Sequence, residues 1–328
     1  MRCVRLPVHI WSIVRVRLHS SRTHRLLTVF SAAAALCSCR RGADRAANDS
    51  VGRPDTLRAD TTAVLPTFRE WLPAGGRYLL VAASVPDTAF VVFPEFTSDS
   101  TIASGQFVLS GDALTDYELW APDGNFSVGR LTSVMHARQL GCEQWPVGRL
   151  QAAAGARTWS VGLRAGRAHG IPYTSIDQMS GSDSAEVVVD LARLGSQAPN
   201  DTSTALRGLP YVVRAAYRAN LGDSLALLVG EVVRRVNIEA HPREERTTVV
   251  GERAASDNEP YTLVYSERLH GDEENIPTTE LIGLVQLNDG NYVAFGARDY
   301  SDGGTYLMFM REKGHRWRLR WQSAYAGC

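Results

Sequence analysis

From Trp71 onward the chain is dominated by short runs in which apolar and polar residues alternate, the period of a strand with one face buried. RYLLVAASV (77–85), TAFVVFPEF (88–96), SGQFVLSG (104–111), DYELWAP (116–122), NFSVGRLTSV (125–134) and RTWSVGLRAG (157–166) are rich in β-branched and aromatic residues. Pro, Asp, Ser and Gly clusters separate them, and APDGN (121–125) has the composition of a hairpin turn. The small-residue stretch LQAAAGA precedes the last of these strands. The pattern resumes in LRGLPYVVRAAYR (206–218), DSLALLVGEVVRRVNIEA (223–240), ERTTVVGER (245–253) and EPYTLVYSER (259–268), with NLGD and HPREE as turns. Beyond it, NDGN, SDGG and EKGH divide the last segment into four more strands.

One segment has a different period. SGSDSAEVVVDLARLGS places Val187, Val188, Leu191 and Leu194 at helical spacing, with Ser182 as an N-cap and Gly195 as a stop. The expected fold is therefore mainly β (β-rich α+β), built of antiparallel meanders with one packing helix over 180–195. The expected organisation is a leader (1–38), a tether (39–66), an N-terminal β region (67–166) and a C-terminal β-rich region with the helix (167–328).

Composition changes the picture at the N-terminus. Residues 1–25 carry six arginines and no acid, and the apolar run LLTVFSAAAALCSC follows. A basic segment, an apolar stretch of about a dozen residues and small residues before a cysteine form an export signal too short to span a bilayer. Residues 40–66 mix Asp, Arg, Thr, Ala and Pro without aromatics, the composition of a tether. The whole chain has 35 basic and 35 acidic residues, so loss of residues 1–38 leaves it formally at −6. That mildly acidic balance argues against nucleic acid as a partner.

The span Leu36-Cys37-Ser38-Cys39 resembles the lipobox of bacterial lipoproteins, with Cys37 in a slot usually held by a smaller residue. The resemblance covers the leader alone. It implies that Cys39 becomes a lipid-carrying N-terminus that anchors the protein to the cell envelope. Arg40 stands where an inner-membrane retention signal has aspartate, so the outer membrane is the expected destination. Cys3 and Cys37 leave with the leader, and Cys142 and Cys328 remain as an expected disulfide in an oxidising compartment.

Candidate chemistry is sparse. The sequence has no GxSxG elbow, Walker loop, Rossmann glycine fingerprint, HExxH or EF-hand loop. VQLNDGNYV (285–293), within 285–311, resembles an FG-GAP unit, the short calcium-binding repeat of propellers. Gln286 replaces that unit's first aspartate, leaving Asn288, Asp289 and Asn291 as ligand-like side chains. DYSDGG adds Asp299 and Asp302 as metal candidates. Two acidic loops bear histidine: Glu239, His241, Glu244 and Glu245 in one, His270, Asp272, Glu273 and Glu274 in the other. Convergence of the two loops would create a site for a divalent ion or for acid–base work. Arg316, Arg318 and Arg320 alternate with Trp317, Leu319 and Trp321. Side chains two apart share a strand face, so the tryptophans and Leu319 are expected to enter the core together and the arginines to line the other face, as a wet edge or an anion-binding strip.

The sequence thus points to an exported envelope lipoprotein acting in binding or assembly, with no cofactor. Its expected partners are the membrane, through the lipid, and an envelope protein or glycan. The alternatives are an exported hydrolase or metal-dependent enzyme using loops 237–245 and 268–277, and a carbohydrate-binding module, which requires an exposed aromatic row.

Overall fold

The computed structural model describes residues 78–83, 85, 87–92, 114–135, 145–152, 158–199, 203–222, 224–236, 242–255, 259–301, 303–312, 316–323 and 325–327. The leader, the tether, Cys39, Cys142, Cys328 and the segment SGQFVLSG lie outside them. The described residues are mostly antiparallel strands with one α-helix, as the alternation predicts.

Strands β1 (Leu79–Ala82), β2 (Thr88–Val92), β3 (Asp116–Trp120), β4 (Phe126–Met135), β5 (Val147–Ala152) and β6 (Val161–Arg164) close into a barrel in the order β1-β2-β5-β4-β3-β6. Closure comes from β6, whose Gly162 lies opposite Leu80 of β1 and Leu119 of β3. A closed ring leaves no unpaired edge. A strand that the alternation does not single out, VGRLQA, forms β5, which pairs with both β2 and β4. The APDGN turn forms as expected, with Gly124 at φ 76° and Asp123 accepting the Asn125 N–H.

The remaining strands are β7 (Ala168–Gly170), β8 (Tyr173–Ser175), β9 (Val212–Asn220), β10 (Leu225–Val236), β11 (Arg243–Ala254), β12 (Thr262–Asp272), β13 (Thr278–Leu287), β14 (Tyr292–Tyr300), β15 (Gly303–Glu312), β16 (Arg316–Gln322) and β17 (Ala326–Gly327). They form two sheets. A middle sheet runs β16-β15-β14-β13-β7, with β17 beside β15, and an outer sheet runs β12-β11-β10-β9-β8. The helix, α1 (Gly181–Gln197), covers the outer sheet.

Three apolar clusters mark the layers. Barrel residues such as Leu80, Trp120 and Val161 pack on Val285, Phe295, Met308 and Trp321 from one face of the middle sheet. Leu284, Ala294, Leu307, Phe309 and Trp317, from its other face, meet Ala219, Leu227 and Val250 of the outer sheet. Val187, Leu191 and Leu194 of α1 meet Ala216, Leu228, Val232 and Val249 on the outer sheet's far side. Leu191 and Leu194 are fully buried, each a contribution of roughly 1.5–3 kcal/mol.

The helix departs from expectation in three details. Ser180, not Ser182, caps it, its Oγ accepting the Asp183 N–H at 3.2 Å. Val188 points to solvent, because the buried stripe runs 187, 191, 194, and adjacent residues lie about 100° apart on a helix. Gly195 lies within the last turn rather than beyond it. A Cβ there would sit 2.6 Å from Val232 Cγ2, so the glycine permits close approach of helix to sheet.

The C-terminal strand brings a further correction. Trp317 and Trp321 are both buried, but in different clusters on opposite faces of the middle sheet. The cause is a bulge in β16: Trp321 lies opposite Met308 and Leu319 opposite Phe309, so Arg320 is the extra residue of the register and the alternation flips there.

Candidate functional site

The sheet corner formed by β10, β11 and β12 holds the described residues of both acidic segments. The acidic segments are brought side by side, with Glu244 opposite Gly271 and Glu245 opposite His270. Glu273 follows in a short 3-10 turn, Glu273–Asn275. Glu239 and His241 lie outside the described residues.

Three of the carboxylates at this corner, those of Glu244, Glu245 and Glu273, are held by arginine, while Asp272 and Glu274 are exposed. Arg234 grips Glu245 through two hydrogen bonds, Nε to Oε1 at 3.0 Å and Nη2 to Oε2 at 2.9 Å. Arg268 donates to the same Oε1 and also to the Tyr211 hydroxyl and the Ala198 carbonyl, which ties down the C-terminus of α1. On the opposite face of the outer sheet Glu244 accepts from Arg235 at 2.7 Å and from Arg246, while Arg235 also meets Glu273 at 3.0 Å. Alternation explains the division: Glu244 and Glu245 are adjacent in β11 and so face opposite ways. His270 is exposed on the edge strand.

Acidic side chains so paired have few lone pairs free for a cation. Among the described residues no group of three or more His, Cys, Asp and Glu side chains is placed to hold a metal ion. Adding Zn²⁺ or Ca²⁺ to the purified protein is expected to leave its melting temperature unchanged. A rise that saturates with metal would return the acidic corner to candidacy.

The other candidates are dispersed. Asp289 accepts the Asn291 N–H in the β13–β14 turn, and Asn288 donates to the Gly166 carbonyl at 2.7 Å. Asp299 is near the far end of β14, roughly 25 Å away along an extended strand. Partial burial raises its carboxyl above the ordinary value, with Arg214 acting in the opposite direction. Asp302 lies outside the described residues. Arg318 and Arg320 both pair with Glu312 of the neighbouring strand, at 3.0 and 2.5 Å, and Arg316 is exposed opposite Glu312. Among the described residues every tryptophan is buried or half-buried, and the most exposed aromatic, Phe126 at 49 %, lies against Trp120. No described row of exposed aromatics suits sugar stacking.

Two buried carboxylates escaped the reading of the sequence. Glu252 joins outer sheet to middle sheet, accepting Arg311 Nε and Trp317 Nε1, each at 2.7 Å. Glu231, in the apolar run of β10, also faces the middle sheet and accepts the Thr279 N–H at 2.8 Å. Beside it the two sheets leave a cavity of about 20 Å³, room for roughly one water, lined by Tyr217, Val229, Thr248, Thr279, Leu281 and Phe309 among others. A lone acid in a strand otherwise read as core was the only signal for Glu231. For Glu252 it was the acid within TTVVGER. Compared with known proteins, the chain matches no protein family, no curated protein and no solved structure.

Proposed function

We propose that this is an exported, lipid-anchored protein of the cell envelope whose folded body acts in binding or assembly rather than catalysis. The lipobox-like Leu36–Cys39 and the polar segment that follows support the anchor and tether. The observation that carries the non-catalytic reading is the arginine pairing of Glu244, Glu245 and Glu252, which turns the most acidic parts of the sheets into structural cross-links. Catalytic acids and bases need a free, substrate-facing position, and these side chains have none. Arg40 favours the outer membrane.

Expressed with its own leader, the full chain is expected in the membrane fraction, labelled by radioactive palmitate. Cys39→Ala is expected to abolish the label and release the protein from membranes. Continued membrane residence of the variant would refute the anchor.

A further inference from the structure

Glu231 differs from the other buried glutamates of the outer sheet. Glu244 and Glu245 each bond two arginines, and Glu252 an arginine and an indole N–H. Glu231 is just as buried, at 1 % exposure, yet only one of its oxygens is satisfied. Oε2 accepts the backbone N–H of Thr279, near the start of β13 in the opposite sheet. Oε1 accepts no hydrogen bond, and the nearest cation is Arg214 Nε of β9 at 3.5 Å, on a side chain 39 % exposed. Thr279 repeats the shortfall, since its hydroxyl is buried without a partner and the residue lines the intersheet cavity. Gly230, beside Glu231 in β10, and Thr248, opposite it in β11, line the same cavity.

The charged and titratable groups nearest Glu231 are Arg214 and Tyr217 of β9 and Arg246 and Glu244 of β11; Glu280 of β13 acts on Tyr217, and Asp299 of β14 is within reach of Arg214. Arg246 is engaged by Glu244 and by the Ile276 carbonyl, which weakens its hold on Glu231. An under-paired carboxylate shut away from bulk solvent is most comfortable neutral; once ionised, it seeks water.

We propose that Glu231 is a proton-operated latch between the two sheets: neutral, it leaves the start of β13 seated against β10; ionised, it draws water into the adjoining cavity and loosens that contact. Burial, the largest influence, lifts its carboxyl from 4.5 to about 7, opposed by the Thr279 N–H, Arg214 and Arg246 and reinforced by Glu244. The sign follows from linkage. Between about 4.5 and about 7 the closed interface holds a proton that the opened one has released, so closure weakens as pH rises through that window. Ionisation continues to erode closure until the buried group has itself titrated, just above 7.

The test is amide hydrogen exchange of the full chain, read in peptides covering 278–281 and corrected for the intrinsic pH dependence of exchange. Between pH 6 and pH 8 the opening equilibrium at Thr279 is expected to rise about tenfold in the wild type. In Glu231→Gln it is expected to stay flat. Arg214→Gln removes a charge that favours ionisation, and its half-exposed position makes it safe for folding; the midpoint of the transition is expected to move to higher pH. A wild-type profile without pH dependence overturns the latch. So does a Glu231→Gln profile that retains the dependence, or an Arg214→Gln midpoint that stays in place. If Glu231→Gln does not fold, the wild type and Arg214→Gln decide the question.

Discussion

Replacing Glu245 with alanine is expected to cost about 3–5 kcal/mol, the range for removing one member of a buried ion pair and leaving its partners charged. Glu245 is 1 % exposed and bridges Arg234 and Arg268, whose side chains are 2 % and 8 % exposed. Without the carboxylate two guanidinium groups are left close together in a buried corner. Arg234 retains the Tyr211 ring, 4.9 Å from its guanidinium carbon, which offsets little of that cost. Arg268 retains the Ala198 carbonyl, yet its approach to the helix is aimed by Glu245, so α1 should loosen as well. Glu245→Gln keeps the shape and loses the charge, and should fall between wild type and alanine. Urea denaturation reads the effect as a lower midpoint at unchanged slope. His270→Ala, at the exposed position opposite Glu245, is the control and should change stability by less than about 0.5 kcal/mol. A small loss in Glu245→Ala would show that water already reaches the corner. A large one in His270→Ala would revive the acid–histidine reading of the two loops.

That contrast also locates the limit of the sequence as a guide. Acidic residues are conspicuous in REERTTVVGER and HGDEEN, and a search for metal or acid–base chemistry stops at them. Of their partners, Arg246 stands in the first of these segments, Arg268 two residues before the second, and Arg234 and Arg235 in the preceding strand, and only register reveals which face each one shares. Period-two alternation identified most described strands and the one helix stood out by its own period, because both signals are local. Barrel closure is not local. It depends on β1 pairing with β6, about eighty residues later, and on β5, whose alanine- and glycine-rich surroundings hide its strand character. The reversal at Trp321 is subtler still. One extra residue in the register, Arg320, sends two similar tryptophans to opposite faces of one sheet, and a bulge leaves no mark in an alternating sequence. Glu231 was passed over because a single acid barely alters the apolar average of LALLVGEVV, although burial makes it the most consequential side chain there.

Reduction of protein expressed with its own leader is expected to lower its stability by as much as about 5 kcal/mol, because the proposed Cys142–Cys328 disulfide would close a loop of 186 residues. The pairing is a proposal, since both cysteines lie outside the described residues, and its support comes from their flanks. Trp145, three residues after Cys142, is buried, and its ring lies 6.4 Å from that of Tyr306 on β15. Gly327, immediately before Cys328, lies opposite Gly303 at the start of β15, three residues from Tyr306. Tyr325 stacks edge-on against Tyr300 at 5.6 Å, which fixes the tail to the same region. Two chain segments far apart in sequence thus meet one end of one strand, which is what a long-range cross-link requires of its neighbours. Digestion without reductant, followed by mass mapping, should yield one linked pair carrying Cys142 and Cys328. Cys142→Ser and Cys328→Ser should each lower the urea midpoint by the same amount as reduction, and the double variant should add nothing further, because each removes the same bond. Alkylation of both thiols in unreduced exported protein would exclude the bond. Losses that add in the double variant would mean that the two cysteines stabilise the fold separately.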